Sequence, residues 1–243
     1  MKDFDGKRYW LVGASEGLGR ALAEKMSMAG AEVIVSARNA ERLEALVAEL
    51  PGKAIALPMD ISDAASVAAA SEALGTVDGI VFLAGVYWPM KAGEWDADRA
   101  IQMADINFTG AFRTLGAVMP QFLERDEGHI VIVGSLSGFR GLPGAIGYGA
   151  SKAGVMALAE SMYADLKDTG LKVQLANPGF IKTRLTEKNE FSMPFIMEPE
   201  EAARAIFEHM DSSRFKVSFP TVFSWVFRLS QFMPDWMYYR IFA

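Results

Sequence analysis

The sequence contains no cysteine, which excludes a disulfide framework, thiolate catalysis and any Cys-ligated metal. Its only imidazoles are His129 and His209, so a His-centred triad or a zinc site has almost nothing to be built from. It has no run of Lys or Arg, and its net charge of −6 argues against the cationic footprint that a nucleic-acid partner requires. Internal repeats and low-complexity linkers are also missing. The first seven residues are charged and lead straight into an apolar stretch, unlike a secretory signal, so the expected location is the cytoplasm. What remains is an ordinary globular balance over 243 residues, 51% hydrophobic and 22% charged, which suits one domain spanning 1–243 with a substantial core.

Apolar runs of strand length alternate with helical periodicity along the chain. Strands are expected at 8–13, 32–36, 53–57, 78–83, 129–134, 172–176 and 216–219. Helices are expected at 18–29, 40–50, 64–74, around 103–123 and at 150–168. This βα rhythm predicts an α/β fold: a single-domain, doubly wound, parallel seven-stranded sheet, Rossmann-like, with helices on both faces. Ligands then bind at the carboxyl ends of the strands.

The first strand runs into Gly13-Ala14-Ser15-Glu16-Gly17-Leu18-Gly19 and then directly into a helix. Gly13 and Gly17 suit a tight turn and Gly19 suits close packing, while the helix N-terminus offers free amides and a positive dipole end to a diphosphate. The spacing is GxxxGxG and not the common GxGxxG. After the second strand, Ala37 stands where a carboxylate for a ribose 2′-hydroxyl is expected, and Arg38 follows. A guanidinium suits a 2′-phosphate, which favours NADP(H) over NAD(H). Glu16 works against this, since its charge would repel a phosphate. Asp60, in Met59-Asp60-Ile61-Ser62, either accepts a hydrogen bond from an adenine amino group or caps the following helix.

Tyr148 and Lys152 are four residues apart, which on a helix places both on one face. A phenol titrates near ~10, and a neighbouring ammonium would lower that value, so the pair reads as a proton relay.

Together these features make the chain resemble the short-chain dehydrogenases/reductases over nearly its whole length. The resemblance rests on the glycine loop, Asp60, Ala84-Gly85, Asn107, Ser135, Tyr148 with Lys152, and Asn177-Pro178-Gly179 with Thr183. Ser135 lies thirteen residues before Tyr148, as that family's pattern requires; Ser137 is a rival. The resemblance implies that Tyr148 is the general acid or base, that Ser135 orients the substrate oxygen, and that Lys152 tunes Tyr148 and holds the nicotinamide ribose. It implies that Asn107 anchors a water chain to Lys152. It also implies cofactor contacts from Gly13, Ser15, Glu16, Gly17, Leu18 and Gly19, from Arg38, Asp60, Ile61, Ala84 and Gly85, and from Pro178, Gly179, Ile181 and Thr183, with Tyr148 and Lys152. One departure stands out: Phe82-Leu83 replaces the two asparagines common in the family before Ala-Gly.

The segment 180–197, with Phe191, Met193, Pro194, Phe195, Ile196 and Met197, reads as a lid over an apolar substrate. Residues 219–243 form an unusually aromatic tail, too short at its apolar stretch for the ~20 residues of a membrane span. Its apolar groups need a cover: the chain's own substrate pocket, a second subunit in a homodimer or homotetramer, or a lipid surface touched peripherally. The expected activity is NADP(H)-dependent interconversion of a ketone and a secondary alcohol on a small apolar molecule. The alternatives are a lipid ketoreductase at a membrane surface and a non-catalytic NADP sensor.

Overall fold

The computed structural model describes residues 4–188 and 192–242. Short runs rich in Val and Ile favour extended backbone, and seven of them pair into one parallel sheet. They are β1 (Arg8–Val12), β2 (Glu32–Ser36), β3 (Ala54–Ala56), β4 (Gly79–Phe82), β5 (Gly128–Val133), β6 (Leu171–Pro178) and β7 (Lys216–Phe219). Their order across the sheet is β3-β2-β1-β4-β5-β6-β7. The chain winds outward from β1 to β3 and then returns to the other side of β1 as β4, so the strand order reverses between β1 and β4. That reversal opens a crevice at their carboxyl ends.

The helices are α1 (Gly17–Met28), α2 (Ala40–Glu49), α3 (Ala64–Leu74), α4 (Ala97–Ala104), α5 (Gly110–Arg125), α6 (Ile146–Leu166), α7 (Pro199–Asp211), α8 (Thr221–Ser230) and α9 (Asp235–Phe242). Side-chain caps start several of them: Asn39 accepts from the Arg42 amide, Asp63 from Ala65 and Asp96 from Arg99.

Side chains alternate across the sheet, so each strand feeds two cores. Leu11, Val35, Val81 and Val131 face α1 and α7, meeting Leu22, Met26, Ile206 and Met210. Trp10, Ile34, Ile80 and Ile132 face the other way, towards Leu74, Leu115, Phe122 and Val155. Each such fully buried side chain contributes about 1.5–3 kcal/mol. Helices thus cover both faces, as the alternation predicts.

Four parts of the chain differ from the sequence expectation. The helix expected over 103–123 is longer and interrupted: α4 begins at the Asp96 cap, a π-helical turn occupies Asp105–Thr109, and α5 continues from there. α6 starts at Ile146 and not at 150, which puts Tyr148 in its first turn. The helix α7 was not anticipated, and the tail is two helices separated at Pro234. Among the described residues, no helix is long and apolar enough to cross a membrane.

Candidate active site

The strand ends open on a cleft of about 790 Å³. Its first wall is the turn from β1 into α1. The amides of Gly13 and Ala14 donate to the Ser36 carbonyl at 2.8 and 3.2 Å, which fixes the turn against the end of β2. Gly13 has a φ of 95°, and a β-carbon there would lie 2.6 Å from the Ala84 backbone. A β-carbon on Gly19 would overlap the Gly13 carbonyl, so only glycine lets α1 start this close to β1. The N-terminus of α1 has no side-chain cap, which leaves its first amides to the cleft.

Glu16 does not stand as an isolated negative charge in this loop. Its Oε2 accepts from Arg42 at 2.6 Å and from Arg184 at 3.0 Å, so two cations offset it. The repulsion expected from its charge is answered by residues that sequence reading passed over. Arg38 is exposed at the cleft rim and, among the described residues, lies within 4 Å of no carboxylate. Burial opposes ionisation of Asp60, but the Ser62 hydroxyl at 2.6 Å and amide at 2.9 Å, with Arg38 and Arg113 nearby, hold its carboxyl below the ordinary range. The capping alternative for Asp60 is corrected: Asp63 caps α3, while Asp60 lines the cleft.

The far wall carries the proton-transfer candidates. Ser135 follows β5, and Tyr148 and Lys152 lie one turn apart on α6; all three line the cleft. So do Ser15, Gly17, Leu18, Ile61, Ala84, Gly85, Pro178, Gly179, Ile181 and Thr183. Asn107 is the one candidate kept off the wall. It is fully buried in the π-helical turn, where its amide accepts from the Val86 N–H at 2.7 Å and donates to the Val86 carbonyl and the Ser151 hydroxyl. Of the two residues that depart from the family pattern, Phe82 is buried in the core and Leu83 lines the cleft.

A second cavity of about 490 Å³ adjoins the first. The two share Ser135, Tyr148, Gly179, Leu185 and Thr186, so the serine and tyrosine hydroxyls stand at the junction. Its walls are mainly apolar: Leu142, Pro143, Phe180, Phe223, Val226 and Phe227. Of the expected lid, Phe180 and Pro194 line this chamber, Met197 is buried in the core, and Phe195 and Ile196 are exposed. Phe191 lies outside the described residues. Much of the greasy wall comes instead from the tail, which covers part of its own apolar surface in this way. Ser137, the rival serine, lines only the chamber and shares a 2.9 Å hydrogen bond with the Ser135 hydroxyl.

In the cofactor-free protein, burial dominates the electrostatics of this pair. Burial pushes the Tyr148 phenol up to about 12, a Ser135 hydrogen bond pulls it back in part, and Tyr87 raises it further. Lys152 directs its ammonium to β5. Its Nζ donates to the Val133 carbonyl at 3.0 Å and sits 5.8 Å from the centre of the phenol ring, and desolvation lowers its own pKa to about 8.

The glycine cradle that a β-carbon would fill and the uncapped α1 amides suit the diphosphate of a dinucleotide. The family profile described as short chain dehydrogenase matches residues 7–192. An uncharacterized oxidoreductase of Myxococcus xanthus is 36% identical over 242 residues, covering 97% of this chain and 96% of that protein. A short-chain dehydrogenase from Sphingobium yanoikuyae, solved in complex with NADPH, superposes with a TM-score of 0.82 at 27% identity, covering 88% of each chain. A short-chain dehydrogenase/reductase from Burkholderia phymatum, solved in complex with NAD, gives 0.87 at 25% identity, covering 95% of this chain and 94% of that one. With the fold, the cleft and these likenesses in agreement, the chain belongs to the short-chain dehydrogenases/reductases and is an oxidoreductase.

Proposed function

We propose that this enzyme uses NADP(H) to interconvert a ketone and a secondary alcohol on an apolar substrate, with Tyr148 exchanging the proton. The observation that carries this reading is the junction of the two cavities at Ser135 and Tyr148. One side is a cleft of mixed polar and apolar lining, with glycine turns and the exposed Arg38 guanidinium; the other is a mainly apolar chamber. A carbonyl placed between them has its carbon open to the cleft and its oxygen against two hydroxyls.

The nicotinamide supplies hydride to the carbonyl carbon when it is bound. Negative charge then grows on the oxygen, and hydroxyl donors already aimed at it stabilise the transition state more than the ground state. Ser135, steadied by Ser137, orients that oxygen, and Tyr148 donates its proton to it. A phenol held near 12 keeps its proton at neutral pH, yet it is a stronger acid than the alcohol it forms, so transfer to an alkoxide runs downhill. With the cofactor bound, Lys152 would hold the ribose, Arg38 a 2′-phosphate and the α1 amides the diphosphate.

The test is to follow NADPH and NADH consumption against ketones graded by size and polarity. Apolar ketones should be reduced with NADPH preferred by about 10- to 100-fold, the worth of a charged hydrogen bond from Arg38. Equal rates with NADH would remove the role given to Arg38. Tight NADPH binding with no turnover on any ketone would favour the sensor reading.

The reading includes a homodimer or homotetramer. It is supported by the exposed apolar side chains Ile101, Phe112 and Leu123 on α4 and α5, surface that a second copy would cover.

A further inference from the structure

The tail is held by few of its own apolar groups. In α8 only Ser224 and Ser230 are buried, and in α9 only Tyr238. Val222, Leu229, Phe232 and Trp236 face outward. Yet Phe223, Val226, Phe227 and Phe242 from these same helices wall the chamber opposite Ser135 and Tyr148. A wall with so little buried area needs another anchor.

That anchor is Arg140, five residues after Ser135 in the loop that follows β5. Its guanidinium donates to the Ser230 carbonyl at the end of α8 and to the Met233 carbonyl at 2.8 Å, and it pairs with the Asp235 carboxylate. It also stacks over the Tyr238 ring at 4.0 Å. The Tyr238 hydroxyl returns a hydrogen bond to the Gly141 carbonyl at 2.7 Å, and the Gln231 amide donates to the Phe139 carbonyl at 3.2 Å. A planar fork is suited to this task because it can satisfy helix-end carbonyls, a carboxylate and an aromatic face at once. The Arg140 side chain is only 15% exposed, so its bonds to the Ser230 and Met233 carbonyls are partly shielded from solvent, while Asp235 is 87% exposed and its pairing faces water.

We infer that Arg140 is a positioning residue that latches the C-terminal helices over the chamber, making the tail the specificity wall for the apolar group of the substrate. The inference rests on the reading that this chamber receives a ketone. Because the latch springs from the loop that carries Ser135, the seat of the apolar group and the donor to the carbonyl oxygen are fixed to one segment.

Two measurements on full-length protein test it, with Arg140→Ala, Arg140→Lys and Tyr238→Phe beside the wild type. Amide hydrogen exchange across 221–242 should quicken about tenfold or more in Arg140→Ala, less in Tyr238→Phe, and Arg140→Lys should restore only part of the protection. The KM for a bulky apolar ketone should rise about tenfold in Arg140→Ala, while kcat for a small ketone and the affinity for NADPH stay unchanged. Unchanged exchange in the tail would overturn the latch. Faster exchange with equal losses on small and bulky ketones would overturn the role in specificity. If the wild type reduced no ketone, the underlying reading would fall, and the exchange result would still decide the latch.

Discussion

Tyr148 meets the ring of Tyr87 edge-on at 5.1 Å and lies between a cleft of mixed lining and an apolar chamber, so it loses much of its hydration. Its proton is correspondingly hard to remove. The sign follows from burial: desolvation penalises the charged form, the charged form is phenolate, and the pKa moves up. In the cofactor-free protein, the phenolate absorbance difference between wild type and Tyr148→Phe should therefore stay near zero through pH 10. A difference appearing near neutral pH would mean that Lys152, and not burial, governs the phenol. The helical spacing of Tyr148 and Lys152 was legible in the sequence, and the structure keeps both on one face of α6. What periodicity does not reveal is where an ammonium finds its hydrogen bond. The Val133 carbonyl that takes it lies on β5, outside the helix altogether. The same limit explains Glu16: Arg184, which helps to neutralise it, is 168 positions away in the sequence.

At the scale of elements, strands were read well because buried parallel strands are continuous apolar runs bounded by turns. Helix α7 had readable signals: Pro199 at its start, Glu200 and Glu201 in its first turn, and Ala202, Ile206 and Met210 on one face. The π-helical turn, five residues long, was not read, since a single wide turn shifts the helical phase over too short a stretch for periodicity to register. That turn directs Asn107 inward, where its amide pairs both the N–H and the carbonyl of Val86 as a strand would. Asn107→Ala would strand these buried groups, and urea unfolding should show a loss of about 1–3 kcal/mol. Asn107→Ala as stable as wild type would show that Val86 finds other partners.

For the molecule as a whole, the site exists because the strand order reverses between β1 and β4, bringing the glycine turn, Ala84 and the α6 pair to one crevice. The cleft was legible because its glycines, its arginine and its Tyr-Lys pair each sit beside a recognisable strand or helix end. The chamber was only half legible. The aromatic tail announced apolar surface in need of a cover, but composition does not say which side chains turn inward. Phe223 and Phe227 do, while Phe232 stays 86% exposed. The central claim is that hydride and proton transfer meet at the hydroxyl shared by the two cavities. The most direct test is the rate of NADPH-dependent ketone reduction by Tyr148→Phe, measured together with its NADPH affinity. Loss of turnover by about 10²- to 10⁴-fold with cofactor binding intact is the expected result; a variant that reduces the ketone as fast as the wild type would contradict it.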